Sequence, residues 1–328
     1  MRDAITRRRA IRVLAAAAGL PLLAAGVRAT VPTGRFFGWQ GEVLGAASEL
    51  TLWHWDEALA RRAILKVRHE IERYERIFSL YRDDSAIVRL NRDGALVRPS
   101  PELVEVIDAS QGLGVLSNGA FDITVQPLWR VYEEHFWSCS RVESDIASRA
   151  LDVARTRVDF RRLQPGTARI DLALGMGVTL NGIAQGYVTD RIADLLRHEG
   201  FEQAMVDLGE FRALGKHPED RAWRAGLRGG RTIELSNEAL AVSGGYGTIF
   251  EPSGRFHHIF DPASGASANA LREVAVVAPR AMIADGLATA ICVAGEARAP
   301  ELLAPYDARA IVTRLDGTPV EISPTGTV

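Results

Sequence analysis

Two oxygen-bearing residues one helical turn apart, Asp285 and Thr289 in the apolar stretch ADGLATA, are the sharpest chemical signal in the sequence. At that spacing a helix projects both from one face, so a carboxylate and a hydroxyl converge on one point. Hard oxygens at low ligand number suit magnesium, which keeps several waters and is completed by substrate phosphate. The same pair also reads as an N-cap aspartate and a threonine bonded back to its own helix. Three further clusters combine glycine with acid, hydroxyl or aromatic groups. In HHIFDPASG (257–265) the Asp-Pro and Ser-Gly pairs predict a tight turn, with His258 beside it as a proton acceptor or a structural hydrogen-bonder. In NGIAQGY (181–187) glycines open a helix and let backbone groups approach a ligand, or simply mark a helix entry. In NGAFDITVQPLW (118–129) Phe121 and Asp122 suit a planar heterocycle, while Phe121 is equally a core residue.

Several other machines are absent: there is no P-loop, no His-Glu-x-x-His and no Gly-x-Ser-x-Gly. GLGVLS from Gly112 and GMGVTL from Gly175 come near the dinucleotide fingerprint but lack its third glycine and follow no clear strand.

The elements that must position these residues are legible from periodicity. Ala63, Val67, Ile71, Tyr74 and Phe78 recur every three or four residues and predict a long amphipathic helix from Leu59. A second helix begins at Ser100-Pro101, a good cap followed by a first-turn proline, and carries Leu103, Val106 and Ile107 inward. A third runs from about Tyr187 to Gly200. Strand patterns cover Thr51–Trp55, Ala204–Leu208, Thr232–Leu235, Arg272–Ala278 and Ala310–Leu315. The last of these leads through Asp316-Gly317 into a return strand Pro319–Ile322. Strands and helices mix without βαβ alternation, which predicts an α+β fold with largely antiparallel sheet in one continuous domain over residues 30–328.

Residues 1–29 are set apart from that domain. Thr6-Arg7-Arg8-Arg9 followed by an apolar run from Val13 to Val27 reads as a twin-arginine export signal, or as an uncleaved anchor, and places the protein in the periplasm. Without those residues, which carry six Arg and one Asp, the formal charge falls from −2 to −7, which argues against a nucleic-acid partner. Two cysteines, Cys139 and Cys292, are too few for a disulfide framework or a zinc site. They read as buried small hydrophobes, although an oxidising compartment permits a bridge.

Taken together and in order, FSLYRDDSAIVRLN (78–91), GAFDITVQPL (119–128), NGIAQGY with TDRIADLL, LGEFRALG (208–215), VSGGY (242–246), HHIFDPASG and ADGLATA resemble the ApbE-type FAD:protein FMN transferase family, from about Gly41 to Ile322. The details are also similar to the NosX branch, which accompanies nitrous oxide respiration. The resemblance implies an ApbE-like fold and an enzyme that splits FAD at its diphosphate, releases AMP and leaves FMN as a phosphoester on a threonine or serine of a partner protein. It implies magnesium held by Asp285, Thr289 and the backbone carbonyl of Gly182, with His258 as general base. It carries FAD contacts onto Leu44, Tyr81, Ala120, Phe121, Asp122, Thr179, Gln185, Ser243 and Gly244. The implied acceptor is a periplasmic or membrane-bound flavoprotein such as a NosR-like regulator. A magnesium-dependent FAD pyrophosphatase and a weakly catalytic FAD-binding chaperone are the other classes compatible with the same residues.

The chain departs from the family's pattern around the FAD pocket. Leu44-Gly45-Ala46 stands where Met-Gly-Thr is usual, and no aspartate precedes Asn181-Gly182 in Val178-Thr179-Leu180-Asn181. Gln185 replaces a charged residue, and Leu208 replaces the first glycine of a Gly-Gly-acid turn that keeps Glu210. The metal candidates and His258 are unaffected, so the expected change is in binding more than in chemistry.

Overall fold

A computed structural model describes residues 34–138, 146 and 148–327. The export-signal reading and Cys139 fall outside the described residues, whereas Cys292 is buried, as expected of a small hydrophobe. Nine strands form one sheet in which every neighbouring pair is antiparallel. In spatial order they are β1 (Arg35–Val43), β2 (Ala46–His54), β5 (Ala204–Asp207), β6 (Phe211–Leu214), β9 (Ala239–Ser243), β10 (Glu273–Ala278), β11 (Arg309–Thr313), β12 (Pro319–Ser323) and β13 (Gly326–Thr327). Two small two-stranded antiparallel sheets stand apart, β3 (Ala95–Val97) with β4 (Arg169–Asp171) and β7 (Trp223–Gly226) with β8 (Thr232–Leu235).

Eight α-helices accompany the strands among the described residues: α1 (Glu57–Phe78), α2 (Ala86–Asp93), α3 (Pro101–Leu116), α4 (Gln126–Glu133), α5 (Ser148–Arg155), α6 (Ala184–His198), α7 (Ala281–Ala294) and α8 (Ala299–Leu303). The expected α+β, largely antiparallel architecture is thus the observed one. Among the described residues no helix is long and apolar enough to cross a membrane.

The stripe on α1 is buried at Ala63, Val67, Ile71, Tyr74 and Phe78, and Asp56 caps the helix by accepting the Leu59 N–H. Ser100 caps α3 in the same way, with Pro101 in its first turn. Gly112 and Gly114 of the GLGVLS near-fingerprint lie inside that helix. Most of the core lies between these helices, α6, α7 and one face of the sheet. Trp223, Ala225 and Leu235 of the β7–β8 pair cover the other face, over Phe211, Leu240 and Ala275. A third cluster, rich in aromatics, joins Leu128 and Tyr132 of α4 to Phe250 and Phe260.

Helices α6 and α7 cross closely enough that a Cβ on Gly186 would overlap the carbonyl of Ala281. No side chain of its own caps α7 at Arg280. Its first N–H groups, those of Ala281 and Met282, donate instead to the two carboxylate oxygens of Asp190 on α6, each at 2.9 Å. Burial pushes the Asp190 carboxyl pKa up, against the opposing pull of Arg280, the two backbone N–H groups and Arg212. Asp194 holds Arg280 in a two-point pair at 3.0 and 2.8 Å.

Replacing Asp190 by Ala should therefore destabilise the fold by about 3 kcal/mol, because it strands Arg212 and uncaps a buried helix. Urea unfolding of Asp190→Ala should show the drop, whereas an exposed pair such as Arg92–Asp93 should cost under about 1 kcal/mol when broken.

Candidate active site

The segment ADGLATA lies inside α7, so Asp285 is in its second turn and not at its N-cap, which is Arg280. Asp285 is buried and its Oδ2 accepts the Gly186 N–H at 3.0 Å, which aims the carboxylate at the first turn of α6. Thr289 follows one turn later on the same face. Its Oγ1 lies 3.2 Å from Ser243 Oγ at the end of β9, so the hydroxyl is directed across to the sheet. Gly182 completes the group: a Cβ there would stand 3.0 Å from Thr289 Oγ1, so the α6 entry passes directly over the threonine hydroxyl. Below them Cys292 donates its thiol to Ser243 O, and burial pushes the thiol pKa up to about 12.

These residues floor one compartment of a cleft lined also by Ala120, Phe121, Asp122, Thr179 and Trp129. A second compartment is lined by Leu44, Gly45, Tyr81 and Thr248. Asn181, Gln185 and His258 border both, so they form the partition between the two. The compartments measure about 100 and 110 Å³, room for a phosphate or a ring edge in each. Of the residues expected at the site, Gly244 alone lines neither. It sits behind Ser243, where a Cβ would press on Tyr246 and on the Arg272 carbonyl.

Local folding explains each placement. Leu44 and Gly45, both at positive φ, make the two-residue turn joining β1 to β2, and Glu75 accepts the Leu44 N–H at 2.6 Å. The Tyr81 ring lies against Gly45, where a Cβ would approach it to 2.9 Å. Thr179 is fixed by its N–H to Ile123 O at 2.8 Å, and Asn91 bonds both backbone groups of Val178. Gly209, at φ 102°, lets Gln185 lie over the β5–β6 turn. Glu210 of that turn is buried in the same compartment and accepts the Val242 N–H at 3.1 Å.

Phe121 is buried in the main core and only borders the cleft. The Asp122 carboxylate accepts from Thr124 N–H, Thr124 hydroxyl and Phe160 N–H, and burial raises its pKa. Its visible work is to tie that turn to the Phe160 segment. The expected Asp-Pro turn forms: Gly265 N–H donates to Asp261 O, and Asp261 also accepts from Ala263 N–H and the Ser264 hydroxyl. His258, just before it, has Nδ1 at 3.2 Å from both the N–H and the carbonyl of Thr248. Thr248, Gln126 and Trp129 were not singled out by sequence. Helical spacing in QPLW could have flagged the last two, whereas Thr248 acts through its backbone and leaves no pattern.

Beside His258, the buried His257 has a fully determined bonding pattern. Asn269 spends its amide donors on Arg255 O and Ser267 O, so its Oδ1 accepts from His257 Nε2–H at 3.2 Å. His257 Nδ1 then accepts the Ile259 N–H. Protonating Nδ1 would set two donors face to face, and burial already holds this imidazole below its ordinary pKa.

Comparison with known proteins adds to this geometry. The sequence model of the ApbE family matches residues 44–312. A curated relative named FAD:protein FMN transferase, from Haemophilus influenzae, is 31% identical over 245 residues, covering 68% of this chain and 70% of the relative. Another of that name, from Klebsiella pneumoniae, is 27% identical over 296 residues, covering 84% and 81%. Among solved structures, a variant of flavin transferase ApbE from Vibrio cholerae superposes with TM-score 0.76 at 25% identity, over 88% of this chain and 97% of that one. The apo form of flavinyl transferase ApbE from Pseudomonas stutzeri gives 0.74 at 26%, over 85% and 92%.

Because His257 folds in its neutral form, the unfolded chain binds more protons below the ordinary histidine pKa of about 6.5. Stability should therefore fall as pH drops through that value. Thermal melts between pH 7.5 and 5.5 should show a smaller loss for His257→Gln than for the unaltered protein. His217, also lowered by burial, accounts for a residual slope.

Proposed function

The chain belongs to the ApbE family, and from that premise we propose that it cleaves FAD at the diphosphate and transfers FMN to a threonine or serine hydroxyl of an acceptor protein. The observation that carries this reading is the meeting of Asp285, Thr289, Gly182 and His258, from three separate stretches of sequence, in one cleft. The donor set, a carboxylate, a hydroxyl and a backbone carbonyl, fits magnesium. Among the described residues no group of three His, Cys, Asp or Glu side chains offers a softer or denser site. Asp285, Thr289 and the Gly182 carbonyl would hold the ion, which when bound supplies charge neutralisation to the diphosphate.

The protein's own groups account for the remaining requirements. The first turn of α6 faces both compartments, and its partial positive charge favours a phosphate there. His258 stands at the partition, within reach of either side. In the tautomer whose Nδ1–H is donated to Thr248 O rather than the one that accepts the Thr248 N–H, Nε2 would carry the lone pair that takes the proton of the acceptor hydroxyl. As that hydroxyl oxygen bonds to the FMN phosphorus, the bond from phosphorus to the AMP oxygen breaks and AMP leaves. Small compartments on either side of one histidine suit a dinucleotide that spans the partition and extends over the rim, where Tyr81 is 55% exposed. Leu44 in the tight β1–β2 turn offers an apolar edge to such a ligand.

The arginine-led apolar segment at residues 6–27 supports export to the periplasm by the twin-arginine route, with the acceptor on that side of the membrane. A NosR-like flavoprotein is the acceptor that the NosX-like features suggest.

Incubating the protein with FAD, magnesium and a flavin-acceptor domain should leave covalent flavin on the acceptor and free AMP. Release of free FMN whether or not acceptor is present would make it a pyrophosphatase, and unchanged FAD would remove the catalytic reading. EDTA should stop transfer and added magnesium restore it. Asp285→Ala should lower transfer by about 100-fold or more. His258→Ala should lower kcat by about 100-fold or more while FAD still binds, as read by quenching of flavin fluorescence.

A further inference from the structure

Helix α4 has two working faces. Gln126 and Trp129 border the cleft, whereas Pro127, Arg130, Val131 and Glu134 border a separate groove of about 620 Å³. The opposite wall is α5 with Arg149 and Val153, and Arg157 lies just past its end. Among the described residues, three guanidiniums thus face one carboxylate. All three arginines are exposed, and among the described residues none of their guanidinium groups makes an ion pair or hydrogen bond. Neighbouring arginines behave differently: Arg155 pairs with Asp152 and Arg161 with Asp159.

The groove is joined to the cleft by two elements. One is α4 itself. The other is the segment 174–179: Arg157 lies along Gly175 and Arg130 approaches Gly177, and the segment then enters the cleft at Thr179. Leu174 at its start is 97% exposed, and Val153 on α5 is 46% exposed. Exposed aliphatics among unpaired arginines are the composition of a protein-binding surface. They are placed on a chain whose net charge is otherwise negative.

We propose that this groove seats the acceptor protein beside its modified hydroxyl, and that the docking segment carries carboxylates. The proposal rests on the flavin-transfer reading and extends it to the partner. A nucleotide is the weaker occupant, because the groups suited to a diphosphate lie on the far side of α4, at Asp285, Thr289 and the α6 entry. The groove instead offers separated positive charges over Pro127, Val131 and Val153, which fits side-chain carboxylates spaced along a peptide.

The test compares the full chain with its Arg130→Glu/Arg149→Glu/Arg157→Glu variant and with the milder triple glutamine variant, all three sites being exposed and outside the cleft. Transfer to the acceptor domain should show a KM raised about tenfold or more in the glutamate variant, and less in the glutamine one, with the KM for FAD unchanged. Raising salt should weaken acceptor binding by the unaltered protein and have little effect on the glutamate variant. Fluorescence anisotropy with a short Thr-centred peptide rich in Glu should show binding to the unaltered protein only, and its Lys-rich counterpart should prefer the glutamate variant. That arm needs no catalysis, so it separates this proposal from flavin transfer itself. Equal acceptor KM across the variants, or a shift confined to FAD or AMP, would overturn the proposal. The former leaves the groove unused and the latter makes it a nucleotide site.

Discussion

A single buried hydrogen bond, from the Gly186 N–H to the Asp285 carboxylate, fixes where the candidate chemistry can occur. It does so because the α6–α7 crossing tolerates no side chain at Gly186. With that contact made, Thr289 one turn along α7 must lie under Gly182 just ahead of α6. A carboxylate taken from water needs compensation, and the backbone N–H of Gly186 contributes to it. Asp190 repeats the device in the same helix pair, where its two oxygens satisfy the first donors of α7. The helices are therefore registered by polar bonds at two levels. Apolar packing alone would allow more slippage.

The sheet contributes placement rather than chemistry. Ser243 comes from the end of β9, Glu210 from the turn before β6, and Leu44 from the turn after β1, all along one end of the sheet. Acidic groups there are bonded to backbone N–H donors, as Glu210 is to Val242 and Glu75 to Leu44. The histidine pair follows the same division of labour. His257 is locked neutral by Asn269 and Ile259, and its neighbour His258 stands in the cleft.

Much of the fold was legible because its helices announce themselves. The α1 stripe, the Ser100-Pro101 start of α3 and the glycine-bounded α6 all lie where spacing and caps predicted. Strand β1 was not legible. It is an edge strand, largely exposed, and Gly41 breaks the alternation of Phe37, Trp39 and Val43 on its inner face. Strand β9, ALAVS, is buried almost throughout and carries no period at all. At the site, ADGLATA could be read locally as a cap with a back-bonded threonine. Only the tertiary crossing of α6 and α7 and the reach of Thr289 to Ser243 decide its orientation. Asp122 illustrates the converse. Its residue type suggested a ligand contact, whereas its oxygens are engaged with Thr124 and Phe160, partners that spacing alone does not disclose.

The order of strands has a consequence for how the chain is made. β2 pairs with β5 across roughly 150 residues, and α7, which carries Asp285 and Thr289, comes from the last sixth of the sequence. A nascent chain leaving the ribosome therefore holds the α6 entry and the β1–β2 turn long before it holds the floor beneath them. Until α7 emerges, the Gly186 N–H lacks the Asp285 carboxylate and Asp190 lacks the helix start it caps, and the apolar sides of β2 and α1 need shelter from other unfinished chains. Completion of the cleft floor is thus nearly the final event of synthesis, and a product truncated before α7 would lack both Asp285 and Thr289.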